Sequence, residues 1–176
     1  MAKQITVRDM NKRVARYKKL KPQPWIFIDF ALPEGARDIL SVIGGGVMDR
    51  GALEIPPAIP DARNFHVAMA RCRPNKGAAL HAHKTEEVFI PMDGKWSVFW
   101  GDKGEREVIL DKGDTISVPP GVMRGFKNVG RKESTLLAIL GGKDPGTLKW
   151  SPDVLKRAKA NGYGLDAKGY IKQLAK

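Results

Sequence analysis

Three histidines occur in the chain, and two of them stand together in Leu80-His81-Ala82-His83. Residues two apart on a strand share a face, so both imidazoles would point the same way. Glu87 follows four residues after His83 and keeps the same parity if the strand resumes after a tight turn. Two imidazoles and a carboxylate converging on a cavity form a facial triad, a ligand set suited to Fe(II) with open coordination positions. Zinc, manganese, nickel or copper could use the same three ligands. A His-x-His pair on a strand can equally be a surface pair or a satisfied pair of polar groups. Glu86, beside Glu87, has the wrong parity for the triad and reads as a surface acid, with general base as its functional alternative. His66 shares a strand face with Ala68, Ala70 and Cys72, which suits a hydrogen-bonded core or rim histidine better than a fourth ligand. Cys72, the one cysteine in the chain, reads as a buried small hydrophobe. A single cysteine leaves no internal disulfide framework and no Cys-rich zinc site.

The elements that must position these residues are short strands. The segments 25–30, 38–43, 64–73, 80–83, 86–92, 95–100, 105–110, 115–118, 123–128 and 134–140 read as strands with turn residues between them. Gly101-Asp102-Lys103-Gly104 joins two of them in a hairpin. Many short strands predict an all-β sandwich or barrel. No helical pattern falls between strands, which argues against a dinucleotide-binding βαβ fold. At the N-terminus, Val7, Met10, Val14, Tyr17 and Leu20 follow each other at spacings of three and four, predicting an amphipathic helix over 7–20. Pro22 and Pro24 end it. Near the C-terminus, Ser151-Pro152-Asp153 reads as a helix N-cap, a first-turn proline and a first-turn acid. Asn161-Gly162 closes that helix.

At 176 residues and 42% hydrophobic composition, one domain with short extensions is expected. The division is a basic helical arm over 1–24, a barrel over 25–142 and a C-terminal helical extension over 143–176. No apolar run reaches the roughly 20 residues of a membrane helix, and MAKQITVRDMNKRV holds no apolar signal segment. A cytoplasmic protein without a membrane partner is expected. The net charge of +12 sits in the flanks: +7 over residues 1–24 and +5 over 143–176, around a neutral middle. Such flanks could attract nucleic acid, anionic lipid or acidic partners. Without aromatic interleaving or a nucleic-acid motif, solvated helical faces explain them better, and nucleic acid is not an expected partner.

Two degenerate motifs in order and spacing give the sequence a resemblance to the cupin superfamily. His81, His83, Glu87 and Gly94 fall on the histidines, acid and final glycine of the first cupin motif, with Asn75 at its leading glycine. Asparagine tolerates positive φ better than other non-glycine residues, so that departure is mild. Gly113, Pro119, Gly121 and Asn128 match the second motif. The resemblance covers about residues 64–141. It implies a cupin double-stranded β-helix, a jelly-roll barrel with the site inside, short N- and C-terminal helices outside, and a homodimer.

Arg124 stands where the second motif carries its metal-ligand histidine. Arginine is always protonated and has no lone pair, so it cannot ligate a metal. Two arrangements answer its charge. Arg124 could pair with Glu87 and take the metal's place in a metal-free site that binds an anionic or sugar-like ligand. Alternatively His81, His83 and Glu87 hold a divalent metal, with Fe(II) favoured, and Arg124 grips a substrate carboxylate bidentately. The second arrangement is that of a metal-dependent oxygenase acting on a small organic acid or phenol, and the resemblance also allows isomerisation or decarboxylation. Arg124 is the catalytic candidate. With Met123, Phe126 and Trp100 it forms the expected substrate-binding set.

Overall fold

A computed structural model of the chain describes residues 2, 4–61, 63–143 and 146–175. Ten strands form two five-stranded sheets. The first contains β1 (Asp38–Ile43), β2 (Phe65–Cys72), β4 (Glu87–Pro91), β7 (Ile116–Val118) and β9 (Ser134–Gly141), in the order β1-β2-β9-β4-β7. The second contains β3 (Gly77–Ala82), β5 (Trp96–Trp100), β6 (Arg106–Leu110), β8 (Arg124–Asn128) and β10 (Lys149–Trp150), in the order β10-β3-β8-β5-β6. The paired strands in both sheets run antiparallel. Alternation of buried and solvent-side residues gives each sheet one apolar face, and the two faces close on each other. Ile39, Ala70, Phe89 and Leu136 of the first sheet join Ala78, Trp96, Val98 and Phe126 of the second in one core. Phe89 meets Phe126 edge-on across it, with ring centroids 5.3 Å apart.

Every strand expected between residues 38 and 140 is present, with ends shifted by three residues or fewer. Asn75 adopts φ 62°, the left-handed conformation its position requires. Its N–H donates to the Asn128 carbonyl at 2.8 Å. Asn128 is fully buried and its side-chain amide donates to the carbonyls of Cys72 and Lys132, both at 2.8 Å. These bonds tie the strand ends together and fix the register of β3 against β8.

The terminal segments depart from the expectations. The predicted helix over 7–20 closes only as α1 (Val7–Asn11) and a 3-10 turn over Tyr17–Lys19. It buries none of its apolar residues in those elements, and without a packed face so short a helix is marginal. The predicted strand over 25–30 is instead a plug that turns into a 3-10 helix over Ile28–Ala31, with Ile26, Phe27 and Ile28 buried. At the other end α2 (Pro152–Ala160) forms as read, the Ser151 hydroxyl capping the Val154 N–H. β10 and the hairpin of β11 (Tyr163–Leu165) and β12 (Ile171–Gln173) lie in the segment expected to be helical. Among the described residues no helix is long and apolar enough to cross a membrane.

Candidate functional site in the barrel interior

Position on neighbouring strands brings the site together. Arg124 on β8 lies opposite His81 on β3 and opposite Trp100 on β5. Between Ala78 and His81, β3 carries one residue more than β8. Such a bulge re-aims side chains, and here it leaves both Ala78 and His81 lining the interior. The bulge also frees the polar groups of Ala79 from the ladder, and buried backbone groups need partners. Asp29, from the plug, accepts the Ala79 N–H at 3.0 Å. His81 Nδ1 bonds the Ala79 carbonyl at 2.7 Å. A carbonyl only accepts, so Nδ1 carries the proton and the His81 Nε2 lone pair is bare.

Arg124 is fully buried. Its Nη2 donates to Glu87 Oε2 at 2.8 Å and its Nε to the same oxygen at 3.2 Å. Nη2 also contacts His83 Nε2. Nη1 reaches the carbonyls of Val122 at 3.3 Å and His81 at 3.5 Å. All three guanidinium nitrogens are therefore engaged by the protein. His83 Nδ1 lies 3.2 Å from the Thr85 hydroxyl. Burial and the Arg124 charge hold the His83 imidazole down to about 3, so the ring is neutral. Its Nε2 faces both Glu87 Oε2, at 3.1 Å, and the Arg124 guanidinium, which can only donate. Acceptance from Arg124 puts the ring proton on Nδ1, toward Thr85. His81 is held well below the usual imidazole range by burial and by Arg124. Burial pushes the Glu87 carboxyl up, and the Arg124 guanidinium pulls it back part of the way.

These residues do not fit a divalent cation as they stand. The lone pair of His83 and the Oε2 of Glu87, two of the three ligand atoms, are turned to a guanidinium whose charge would repel the ion. Among the described residues no group of three His, Cys, Asp or Glu side chains is arranged to hold a metal.

Next to this cluster is an interior cavity of about 60 Å³. Its polar lining is His81, Glu87, Ser41 and Arg37; most of the remainder is apolar, including Phe126, Ile39 and Leu140. Of the expected substrate-binding set only Phe126 lines it; Arg124, Met123 and Trp100 do not. A larger open groove of about 600 Å³ runs outside the barrel between α2 and β3, and holds none of His81, His83, Glu87 or Arg124. His66 sits apart, accepting the Gly46 N–H at Nδ1 and bonding the Lys143 carbonyl through Nε2. Cys72 is fully buried, its thiol pushed up to about 12 by burial. Glu86 is exposed and accepts a hydrogen bond from the Ser117 hydroxyl.

Sequence reasoning misses the parts that close the cavity. Ile26 and Phe27 of the plug and Trp150 of β10 cover it, and the Trp150 ring packs on His81 with centroids 5.2 Å apart. Asp49 Oδ2 accepts both the Trp150 indole N–H and the Ile28 backbone N–H at 2.8 Å. Its own N–H donates to Ile26 and its carbonyl accepts from Ile171. One residue thus ties the plug, β10 and β12. Burial pushes the Asp49 carboxyl up to about 7. Arg37 is the other omission. It is buried, pairs with Asp29 at 2.9 Å and lies over the rings of Phe27, Phe30 and Phe126. No local pattern around Asp49 or Arg37 distinguishes either from a surface charge.

Two antiparallel sheets closed around an interior polar cluster define a double-stranded β-helix barrel. Residues 68–140 match the family model of the cupin domain, and this segment of the chain is a cupin domain. A cupin 2 domain-containing protein from Halorhodospira halophila is 20% identical with a TM-score of 0.54, over 73% of this chain and 79% of that one. Peruvianin-I, a cysteine peptidase from Thevetia peruviana latex, is 17% identical with a TM-score of 0.54, over 79% of this chain and 77% of its own. An oxalate oxidase in complex with glycolate is 24% identical with a TM-score of 0.45, and this chain spans 48% of its length. The first two likenesses show the fold. No curated protein matches the sequence.

Proposed function

We propose that this chain is a metal-free, ligand-binding cupin whose barrel takes a small, largely apolar molecule carrying one hydroxyl or amine N–H. The observation that carries this reading is the state of Arg124. Its nitrogens are engaged by Glu87, His83 and two carbonyls, so it has little left to offer a substrate carboxylate. Of the polar groups lining the cavity, His81 and Glu87 turn acceptors to it, while the Arg37 guanidinium, also in the lining, is paired with Asp29. His81 presents a bare Nε2, and Glu87 presents Oε1, which takes no hydrogen bond among the described residues. A ligand donor satisfies them, whereas an anion meets the Glu87 carboxylate. The cavity of about 60 Å³ holds about two water-sized heavy atoms, given that a water's share of liquid is about 30 Å³. A larger ligand requires the plug to shift.

Binding of 2-propanol and of propionate, read from the ring-proton resonances of His81, tests the reading. The alcohol should move those resonances and propionate should not. The oxygenase expectation requires Arg124 to swing off Glu87 and His83. Near-stoichiometric iron in protein reconstituted anaerobically with Fe(II), lost in His81→Ala, would sink the metal-free reading.

A further inference from the structure

The N-terminal arm has an apolar side with nothing packed on it. Val7, Met10, Val14 and Tyr17 are 39% to 80% exposed, and they make up four of the ten exposed large hydrophobics among the described residues. Cations crowd the same stretch: Arg8, Lys12, Arg13, Arg16, Lys18, Lys19 and Lys21 against the one acid Asp9. Among the described residues only Lys12 and Arg13 of these enter ion pairs, with Asp9 and Asp61. At about 100° per residue, Val7, Met10, Val14 and Tyr17 fall within an arc of about 80° on a continuous helix. Arg8, Lys12, Arg16 and Lys19 fall within a similar arc on the far side. The pattern is that of a helix, yet the chain closes only α1 and one 3-10 turn. What is missing is an apolar partner, since packing of the apolar face supplies most of a short helix's stability.

We propose that residues 5–20 dock on an anionic bilayer surface, folding there into a continuous amphipathic helix that lies in the interface. Charge complementarity selects this occupant. The arm carries +7, while the barrel over 25–142 is neutral and the other flank is basic, so a second copy of the chain offers the arm no complementary charge. A nucleic acid would neutralise the cations but leave Val7 and Met10 in water. An anionic lipid surface answers both faces at once: apolar side chains enter the acyl boundary and the lysines and arginines meet the headgroups. The arm's outer half is free to do this. Its inner half hangs on the Arg13–Asp61 pair, on a bond between the Tyr17 and Thr135 hydroxyls at 3.2 Å and on a hydrogen bond between Tyr17 and the Arg71 side chain.

Co-sedimentation of the full chain with vesicles tests the proposal, comparing phosphatidylcholine alone with phosphatidylcholine mixed with phosphatidylglycerol. The wild type should partition at least about tenfold more strongly onto the mixed vesicles, gain far-UV helical signal there, and release at high salt. The triple variant Val7→Ser, Met10→Ser, Val14→Ser should lose about tenfold of that partition with an unchanged Tm, because these side chains are exposed. Lys18→Gln with Lys19→Gln should lose binding as well. Equal binding to both vesicles would overturn the proposal, as would undiminished binding by the serine triple. Duplex DNA binding tighter than vesicle binding, and unaffected in the serine triple, would assign the arm to nucleic acid instead.

Discussion

The barrel holds two buried arginine–carboxylate pairs, and they are built differently. Arg124 and Glu87 lie across the inner ends of β8 and β4, and each guanidinium nitrogen faces an acceptor. Arg37 and Asp29 lie where the plug meets β3. There Arg37 Nη1 is shared among Asp29 and the carbonyls of Gly35 and Gly77. Arg37 Nε and Asp29 Oδ1 are buried without a partner, and three aromatic rings surround the guanidinium instead. The Arg124 pair is a polar network completed by hydrogen bonds. The Arg37 pair is a charge completed by π-faces, with two polar atoms left over. A completed network specifies one arrangement, whereas a dry pair with orphaned atoms depends wholly on its partner.

Removing the cation separates them most. Arg37→Ala strands the Asp29 carboxyl in a dry site and removes the ring stack, and should cost about 5 kcal/mol, the upper end for breaking a buried pair. Arg124→Ala should cost about 3 kcal/mol, because Glu87 lines the cavity and can be hydrated or protonated there. Urea unfolding of both variants checks the ranking; an equal or reversed order would show that the orphaned atoms make no difference. Arg124→His replaces the cation with a ligand beside His81, His83 and Glu87. It should carry about one equivalent of zinc or iron after reconstitution, by mass spectrometry, where wild type carries little. A metal-free, folded Arg124→His protein would mean that the cluster's geometry, and not only Arg124, excludes the ion.

The two pairs also differ in how readable they are in the sequence. Arg124 stands out because it breaks a spaced motif, and strand parity alone places His81, His83 and Glu87 on the interior. Arg37, Asp29 and Asp49 belong to a plug and loops whose conformation is set by what they cover. Residues 25–30 have the composition of a strand, but the barrel mouth needs a turn there, and tertiary packing overrides local preference. The arm fails in the opposite sense: its helical period is clear, but period alone does not supply a surface to bury against. Glycine and asparagine positions are legible because positive φ is a local requirement, as Asn75 at φ 62° shows.

Asp49 offers a smaller test, confined to the plug side of the molecule. Its carboxyl stands near 7 in the folded chain against an ordinary value of 3.8. Between those values the unfolded chain releases a proton that the folded chain keeps. The Asp49 contribution to stability is therefore fullest below about pH 4 and falls as pH rises toward 7, then levels off. Asp49→Asn keeps an acceptor for Trp150 and Ile28 and removes the proton. Wild type's Tm minus the variant's should fall as pH rises from 4 to 7, and a parallel pair of profiles would show that Asp49 titrates normally. His83 contributes the opposite slope. Its imidazole is held down to about 3 against an ordinary 6.5, so below about pH 6.5 the unfolded chain takes up a proton that the folded chain refuses, and this share of stability falls as pH drops.

The smallest effect is expected at Glu86, one residue from Glu87. It faces solvent and its only side-chain bond among the described residues is to Ser117. Surface substitutions of this kind move stability by no more than about 0.5 kcal/mol. Glu86→Gln should therefore melt with wild type and bind the alcohol probe unchanged, while Glu87→Gln, which weakens the partner of Arg124, should do neither. Parity on β4 separates these adjacent acids: one step along a strand turns a side chain from the cavity to water. If Glu86→Gln abolished ligand binding, the active acid would be the outward one, and the interior pair would be reduced to a strut between β4 and β8.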